Sequence, residues 1–374
     1  MERQIPTEMK IIADNIISGY GLLTEDTIAG VLQNTSCLHP YNHSFFKKYK
    51  SHYALISENH KFEVNKFKAG SFLNNAILFS IYETNKDFNI DLSSKDTCII
   101  FSTTKGDIQK ISPENRNVIL NTVKEVSTIL KLTTPPFIIS NACSSGMTSI
   151  NFAEQLLTLK KFKYIFVVGF DLLSEFIVSG FSSLNALSET ICTPFDENRK
   201  GVNLGEAIAT ILVTHNAETP LATYCSGHIC NDANHISGPS KTGEELAYSL
   251  SKSVKSAQIS IDQLAFISAH GTGTIYNDEM ESKAFAIANI SSIPTFSLKG
   301  YFGHTLGAAG ILETIVSYRS LNQNLIPVSI GCNKHSFNNT LNINLTQQET
   351  AKKYFIKSTS GFGGCNAIGI FKNN

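Results

Sequence analysis

One Cys, two His and one Lys each stand in their own run of small residues. Cys143 lies in Ser140-Asn141-Ala142-Cys143-Ser144-Ser145-Gly146 and His270 in Ala269-His270-Gly271-Thr272-Gly273-Thr274. Lys299 and His304 share the stretch from Ser297 to Gly310, SLKGYFGHTLGAAG. Glycine lets a ligand approach the backbone closely, and Thr hydroxyls offer hydrogen bonds to a polar linker or a phosphate. A Cys with a general base suits acyl transfer through a thioester. A second His implies that another developing charge must be handled, whereas a cysteine protease needs one His and an orienting partner.

The local patterns sharpen this chemistry. FIIS reads as a strand that turns sharply into a helix from Thr148, the geometry of a nucleophile elbow. A helix N-terminus there favours thiolate, lowering a thiol from its free value of about 8.5, and its free N–H groups can hold an oxyanion. A buried structural Cys is the competing reading. For His270 the competing reading is a turn or cap residue. Asp278 and Glu281, three residues apart on one helix face, are either catalytic support or solvated helix charges. The Gly/Ala-rich start of the helix after His304 suits close packing against another backbone. Lys299 precedes its glycines, so no Walker pattern exists. In Ser360-Gly361-Phe362-Gly363-Gly364-Cys365-Asn366 one ring among small residues is free to swing, or marks a tight strand-to-strand turn with Phe in the core.

These loops need elements to position them. Short apolar runs predict buried strands at Cys98–Phe101, Phe137–Ile139, Tyr164–Val168, Ala209–Val213, Phe266–Ile267, Pro294–Ser297 and Ile368–Phe371. Helical spacing appears at Asn115–Leu130, Thr148–Leu159, Gly243–Ala257, Glu279–Ile290 and Ala308–Leu321. The alternation predicts an α/β protein with a largely parallel, doubly covered sheet. A boundary at the polar segment His215–Pro220 gives an N-terminal half, 1–215, holding the Cys, and a C-terminal half, 216–374, holding both His. The Lys- and aromatic-rich stretch from His43 to Lys68 has no clear period.

Composition narrows the function classes. Lys+Arg and Asp+Glu both number 31 among 374 residues, against a nucleic-acid binder with a broad basic face. Eight Cys without a CxxC pair give no metal-site pattern and suit free thiols in a reducing compartment. The first twenty residues make a poor secretory signal, and no run approaches the ~20 apolar residues of a membrane span. The expected location is cytoplasmic.

The motifs NACSSGM, PFDENRKGVNLGEAIA (194–209), AHGTGTIYNDEMES (269–282), SLKGYFGHTLGAAGILE (297–313) and SGFGGCNA (360–367) together resemble the β-ketoacyl-acyl carrier protein synthases of the thiolase fold, in order and spacing from about Ile138 onward. Two His with the Cys resemble the elongating class rather than the starter-unit class. The resemblance implies two similar βαβ-type halves in a five-layered αβαβα sandwich. It implies that Cys143 carries the acyl chain, while His270 and His304 assist decarboxylation of a malonyl thioester and stabilise the enolate. The N–H groups of Cys143 and Phe362 would form the oxyanion hole, with Phe362 as a gate. Lys299 would orient and polarise the His304 region, Asp278, Glu281 and Glu313 would support it, and Thr272 and Thr274 would bind the phosphopantetheine arm. No metal or organic cofactor is implied.

Implied partners are an acidic acyl carrier protein and a second subunit, in a homodimer or a heterodimer. Lys47, Lys48, Lys50, Lys61, Lys66 and Lys68 are candidates for a basic docking patch, or simply a solvated surface. The sequence departs from the family at its opening, KIIADNIISGYGLLTED, in a shorter segment between CIIF and Cys143, and at Cys365, where Thr is usual. Two alternatives accompany the synthase reading. One is a silent partner subunit of the chain-length-factor type, which usually lacks the nucleophile. The other is a thiolase acting on acyl-CoA, for which Cys365 would be the second Cys.

Overall fold

The computed structural model describes residues 8–42, 44–335, 337 and 341–374; the first residues of the N-terminal segment weighed as a signal, and His43, lie outside them. Continuous apolar runs form fully buried strands, as expected where both sheet faces are covered: β2 (Thr97–Ser102), β4 (Tyr164–Asp171) and β5 (Ala207–Thr214). With β1 (Met9–Ile17) and β3 (Phe137–Ile139) they make the first half of the sheet. The second half contains β6 (Ala222–Asn231), β7 (Leu264–Ser268), β8 (Thr295–Phe296), β9 (Tyr354–Gly361) and β10 (Cys365–Lys372).

The spatial order is β3-β2-β4-β5-β1 in one half and β8-β7-β9-β10-β6 in the other, so each strand recurs five places later. Directions recur too. β1–β5 and β5–β4 are antiparallel, as are β6–β10 and β10–β9. The β4–β2, β2–β3, β9–β7 and β7–β8 pairs are parallel. Antiparallel pairing of β1 with β6 joins the halves into one ten-stranded sheet. The expected division at 215/216 falls between β5 and β6.

Among the helices of the described residues, the longest cover this sheet: α1 (Phe72–Asn85), α2 (Val118–Ile129), α3 (Ser145–Thr158), α4 (Glu244–Ala257), α5 (Ile275–Ile287) and α6 (Ala309–Leu321). α3 packs on β2, β3 and β4 and also on β6 and β10, while α6 packs on β7 and β9 and also on β4 and β5. The two touch each other, so they form a central layer between the halves. α1 covers the far side of the first half with α2 against it, and α4 covers the second with α5. The five layers follow, α1/α2, sheet, α3/α6, sheet and α4/α5.

Four elements that the sequence analysis omits are β1, β6, β9 and α1. The apolar run of β1 is broken because its Asp14 is an interior ion-pair partner. Arg319 donates to both its oxygens at 2.9 Å, and the Tyr318 hydroxyl donates at 2.6 Å. α1 is buried over nearly all of Leu73–Ile81, so it has no polar face and no helical period. The stretch after His43 forms short elements whose Phe46 and Tyr53 pack with Leu204 and Leu306 in a cluster beside His304.

The Gly/Ala-rich start of α6 serves close packing. A Cβ on Gly310 would lie 2.4 Å from the Met147 nitrogen of α3, and one on Gly146 would lie 2.9 Å from the Ile311 nitrogen. Gly310→Val therefore overpacks the central layer and is expected to lower unfolding stability by about 1–3 kcal/mol. The urea midpoint measures this, and an unchanged midpoint would contradict the close helix contact.

Candidate active site

Cys143 stands between β3 and α3, two residues before the helix begins. Ala142 takes a left-handed φ of 46°, uncommon for a residue with a Cβ, and this sharp turn presents Cys143. The turn is closed by Ser145, whose hydroxyl donates to the Ala142 carbonyl at 2.6 Å and accepts from the Asn141 N–H at 2.7 Å. Cys143 is 6% exposed, and burial pushes its thiol up to about 12. Lys299, the Phe362 N–H and Lys105 pull the other way. Desolvation of the anion thus opposes the lowering expected of a helix N-terminus.

His270 follows β7, and its loop is held by charged side chains on both edges. Glu281 accepts the N–H groups of His270 and Gly271 at 2.8 and 2.7 Å, and Asp278 accepts those of Thr272 and Phe195 at 3.0 and 2.7 Å. Both carboxylates are fully buried, which rules out solvated helix charges; burial raises Asp278 and lifts Glu281 to about 7. On the opposite edge the Lys299 ammonium donates to the His270 carbonyl at 3.1 Å and to Glu313 at 2.5 Å. Lys299 thus anchors the His270 backbone and lies behind the imidazoles, where it was expected to orient His304. Burial pushes Glu313 up, but Lys299 and Lys357 beside it outweigh this and hold it below the ordinary carboxylate range.

His304 is fixed by the PFDENRKGVNLGEAIA block. Its N–H donates to the Asn203 carbonyl at 2.7 Å, and its carbonyl accepts from Gly205 N–H at 3.1 Å. The Leu306 N–H donates to His304 Nδ1 at 3.3 Å, so the neutral ring carries its hydrogen on Nε2. The His270 and His304 rings meet edge-on with centroids 5.1 Å apart. His270 Nδ1 and His304 Nε2 are buried without a hydrogen-bond partner among the described residues. Burial, reinforced by Lys299 and Lys357, holds both imidazoles well below the ordinary value of 6.5 and hence neutral.

Cys143, His270 and His304 open into one cavity of about 560 Å³, together with Thr272, Thr274 and Phe362. The two Thr hydroxyls hydrogen-bond each other at 2.8 Å. Phe362 sits in the β9–β10 turn, 39% exposed, so its ring faces the cavity and is not a core side chain. Phe181, from the helix Glu175–Ser183, packs 5.6 Å from Phe362 and 6.4 Å from His304.

Sequence reasoning missed Phe181, Lys200 and Lys357. Lys200 lines the cavity, and none of Lys47, Lys48, Lys50, Lys61, Lys66 and Lys68 does. Its signal was available, since it lies inside the PFDENRKG motif. Lys61 instead pairs with Glu58, and Lys66 lies over the rings of Phe67, Phe79 and Tyr82. Cys365 does not line the cavity. Among the described residues no group of three or more His, Cys, Asp or Glu is arranged to hold a metal, and no helix is long and apolar enough to cross a membrane.

Comparison with known proteins agrees with this geometry. The family model for the N-terminal domain of β-ketoacyl synthases matches residues 92–219, and that for the C-terminal domain matches residues 221–333. The chain is 27% identical over 293 residues to a putative mitochondrial 3-oxoacyl-[acyl-carrier-protein] synthase of Schizosaccharomyces pombe, covering 72% of this chain and 69% of that one. It is 28% identical over 260 residues to 3-oxoacyl-[acyl-carrier-protein] synthase 2 of Vibrio cholerae, covering 64% and 62%. Alignments with such relatives span only 59–69% of their length. A β-ketoacyl synthase from Burkholderia phymatum superposes with a TM-score of 0.86 at 19% identity, over 98% of this chain and 99% of that one. A ketosynthase from Xenorhabdus doucetiae, solved in complex with its chain length factor, superposes with a TM-score of 0.83 at 21% identity over the whole of both chains. With both domain models matching, over residues 92–219 and 221–333, the chain belongs to the β-ketoacyl synthase family.

Proposed function

We propose that the chain is an active β-ketoacyl-acyl carrier protein synthase, an acyltransferase of the elongating type, working in fatty-acid or polyene/polyketide synthesis. The observation that carries this is the convergence of Cys143 and two neutral imidazoles with unpartnered nitrogens on one cavity. Buried polar atoms without partners are rare in folded proteins, and these belong to two rings that line the cavity.

In the first half-reaction the Cys143 thiol attacks an acyl thioester on the carrier protein. Its proton passes to a neutral imidazole of the same cavity, the new S–acyl bond forms, the bond to the carrier sulfur breaks, and the imidazolium returns the proton so that the carrier leaves as a thiol. The Cys143 and Phe362 N–H groups hold the tetrahedral oxyanion, a role typically worth about 3–4 kcal/mol per donor. In the second, malonyl on the carrier protein loses CO2, and the His304 Nε2–H donates to the thioester oxygen as the enolate forms. His270 meets the same oxygen from the edge. The resulting carbanion attacks the acyl–Cys143 carbonyl, expels the thiolate and leaves a 3-ketoacyl chain two carbons longer.

The remaining residues serve these steps. Thr272 and Thr274 accompany the phosphopantetheine arm, with Lys200 in the same cavity. Phe362, free of the core and stacked near Phe181, gates the passage between the half-reactions. Asp278, Glu281, Glu313 and Lys299 are positioning residues beneath the imidazoles. In this reading the nucleophile belongs to the half 1–215 and both His to the half 216–374. The partners are an acyl carrier protein and a second ketosynthase-like subunit. Solved relatives include a ketosynthase in complex with its acyl carrier protein and others paired with a chain length factor. Eight free thiols suit a cytoplasmic location. The intact Cys143, His270 and His304 weigh against a silent subunit, and the placement of Cys365 outside the cavity weighs against a thiolase.

Intact mass after incubation with acyl-carrier-protein thioesters is expected to show an acyl adduct on the wild-type chain and none on Cys143→Ala. An adduct surviving that substitution would sink the assignment of the nucleophile. His304→Ala is expected to lower malonyl decarboxylation by roughly 10²–10³-fold while leaving Cys143 acylation measurable; equal losses in both steps would contradict the division of roles. Because burial holds both imidazoles below 6.5, decarboxylation should stay constant as pH falls through 6.5, and lose activity only where the rings finally protonate. With the thiol near 12, alkylation of Cys143 by iodoacetamide should keep rising above pH 9. A plateau near pH 7 would show a resting thiolate.

A further inference from the structure

Lys357 lies on β9, fully buried, in a strand otherwise made of apolar and small residues. Its ammonium donates to the carbonyls of Ser268, Ala269 and Ser358 at 3.0, 3.1 and 2.8 Å and pairs with Glu313 at 2.7 Å. The other oxygen of Glu313 pairs with Lys299, which takes the next carbonyl along, that of His270. One carboxylate therefore holds two ammonium groups, and the two together bind three successive carbonyls, 268 to 270, at the end of β7. A buried lysine costs several kcal/mol unless every N–H is paired, and here the pairing partners are the backbone of the catalytic loop.

Resting on the proposed condensing activity, we infer that Lys357 is a positioning residue for His270 in the decarboxylation step. Lys357 and Lys299, bridged by Glu313, set the strand end from which the imidazole projects. Glu281 and Asp278 of α5 hold the opposite edge, so the loop is clamped from β9, the short helix Lys299–Phe302, α6 and α5 at once. Lys357 also places a positive charge beneath both rings. The charged groups that face the His270–His304 pair are Lys299, Lys357, Glu313, Glu281 and Asp278, with Lys105 and its partner Asp171 behind His304. Among the described residues Lys357 contacts the strand end that carries His270, its own strand and Glu313, and makes no hydrogen bond to the Cys143 turn. The two half-reactions should therefore respond differently to its loss.

Two variants test this. Lys357→Met keeps the length and removes charge and donors; Lys357→Gln keeps two N–H donors without the charge. Each is assayed by single-turnover acylation of Cys143 with an acyl-carrier-protein thioester, and by decarboxylation of malonyl-carrier protein across pH. Lys357→Met is expected to slow decarboxylation roughly 10–100-fold, the cost of a small misplacement of a reacting group, while acylation changes by less than about threefold. Its acid limb should move to higher pH, because removing a nearby cation makes the imidazoles easier to protonate. Lys357→Gln should recover part of the rate but keep the shifted limb. A mere structural role would slow both half-reactions together and leave the limb in place. That result, wild-type behaviour in both variants, or loss of the folded state in both, would overturn the inference while the condensing activity of the wild type stood. A wild-type chain that performs neither half-reaction would overturn the functional reading and this inference with it.

Discussion

Charge is buried beside the thiol, and the site depends on its complete pairing. Lys105, Lys299 and Lys357, with Asp171, Glu206, Asp278, Glu281 and Glu313, are all 8% exposed or less. Each such ion costs several kcal/mol to remove from water, returned only when its hydrogen-bonding capacity is used. Part of that capacity is spent on backbone groups of the loops that carry His270 and His304, and part on neighbouring segments. Asp171 accepts the Gly307 N–H at 2.8 Å just after His304, and Glu206 accepts the Leu173 and Ile56 N–H groups at 3.0 and 3.1 Å. The His270 loop has little apolar surface of its own, so buried charge takes the place that packing occupies elsewhere in the core; the His304 loop has both, with Leu298, Tyr301, Phe302 and Leu306 in the core clusters.

The doubled topology makes this arrangement possible. α3 and α6 sit between the two halves, and each follows a loop carrying a reactive residue, Cys143 before one and His304 before the other. The glycines at 146 and 310 let these helices approach at backbone distance, which draws the two loops onto one cavity. Dry surroundings then decide protonation. The thiol rises and the imidazoles fall, so at neutral pH the resting site is uncharged on its reacting atoms and charged one layer beneath them. A neutral imidazole can take a proton from the thiol and donate a hydrogen bond to an enolate.

Much of this was legible in the sequence. The strands read from CIIF, YIFVV and ATILV are present, because a doubly covered strand needs an uninterrupted apolar run. Cys143, His270, His304, Phe362, Thr272 and Thr274 stood out as reactive or polar side chains in small-residue loops, and the fold brings all six to one cavity. β1 and α1 escaped notice because Asp14 has its ion-pair partner 305 residues away in the chain and because α1 is buried over Leu73–Ile81, Asn74, Asn75 and Ser80 included, which removes any helical period. Lys357 was invisible for the same reason as Asp14: a buried ion shows its meaning only beside a distant partner. The burial that opposes the helix dipole at Cys143 was not legible, because what packs on the turn, Gly361 and Phe362, comes from the far end of the chain.

The most direct test of the central claim loads Cys143 with an acyl chain, adds malonyl-carrier protein labelled at its free carboxyl, and follows labelled CO2 together with the mass of the carrier-bound product. The expected result is one CO2 released per 3-ketoacyl chain formed, two carbons longer than the chain loaded, and no extended chain from Cys143→Ala, which cannot carry the acyl group. Stable acyl–Cys143 with no CO2 and no extended chain, in the presence of both substrates, would contradict it.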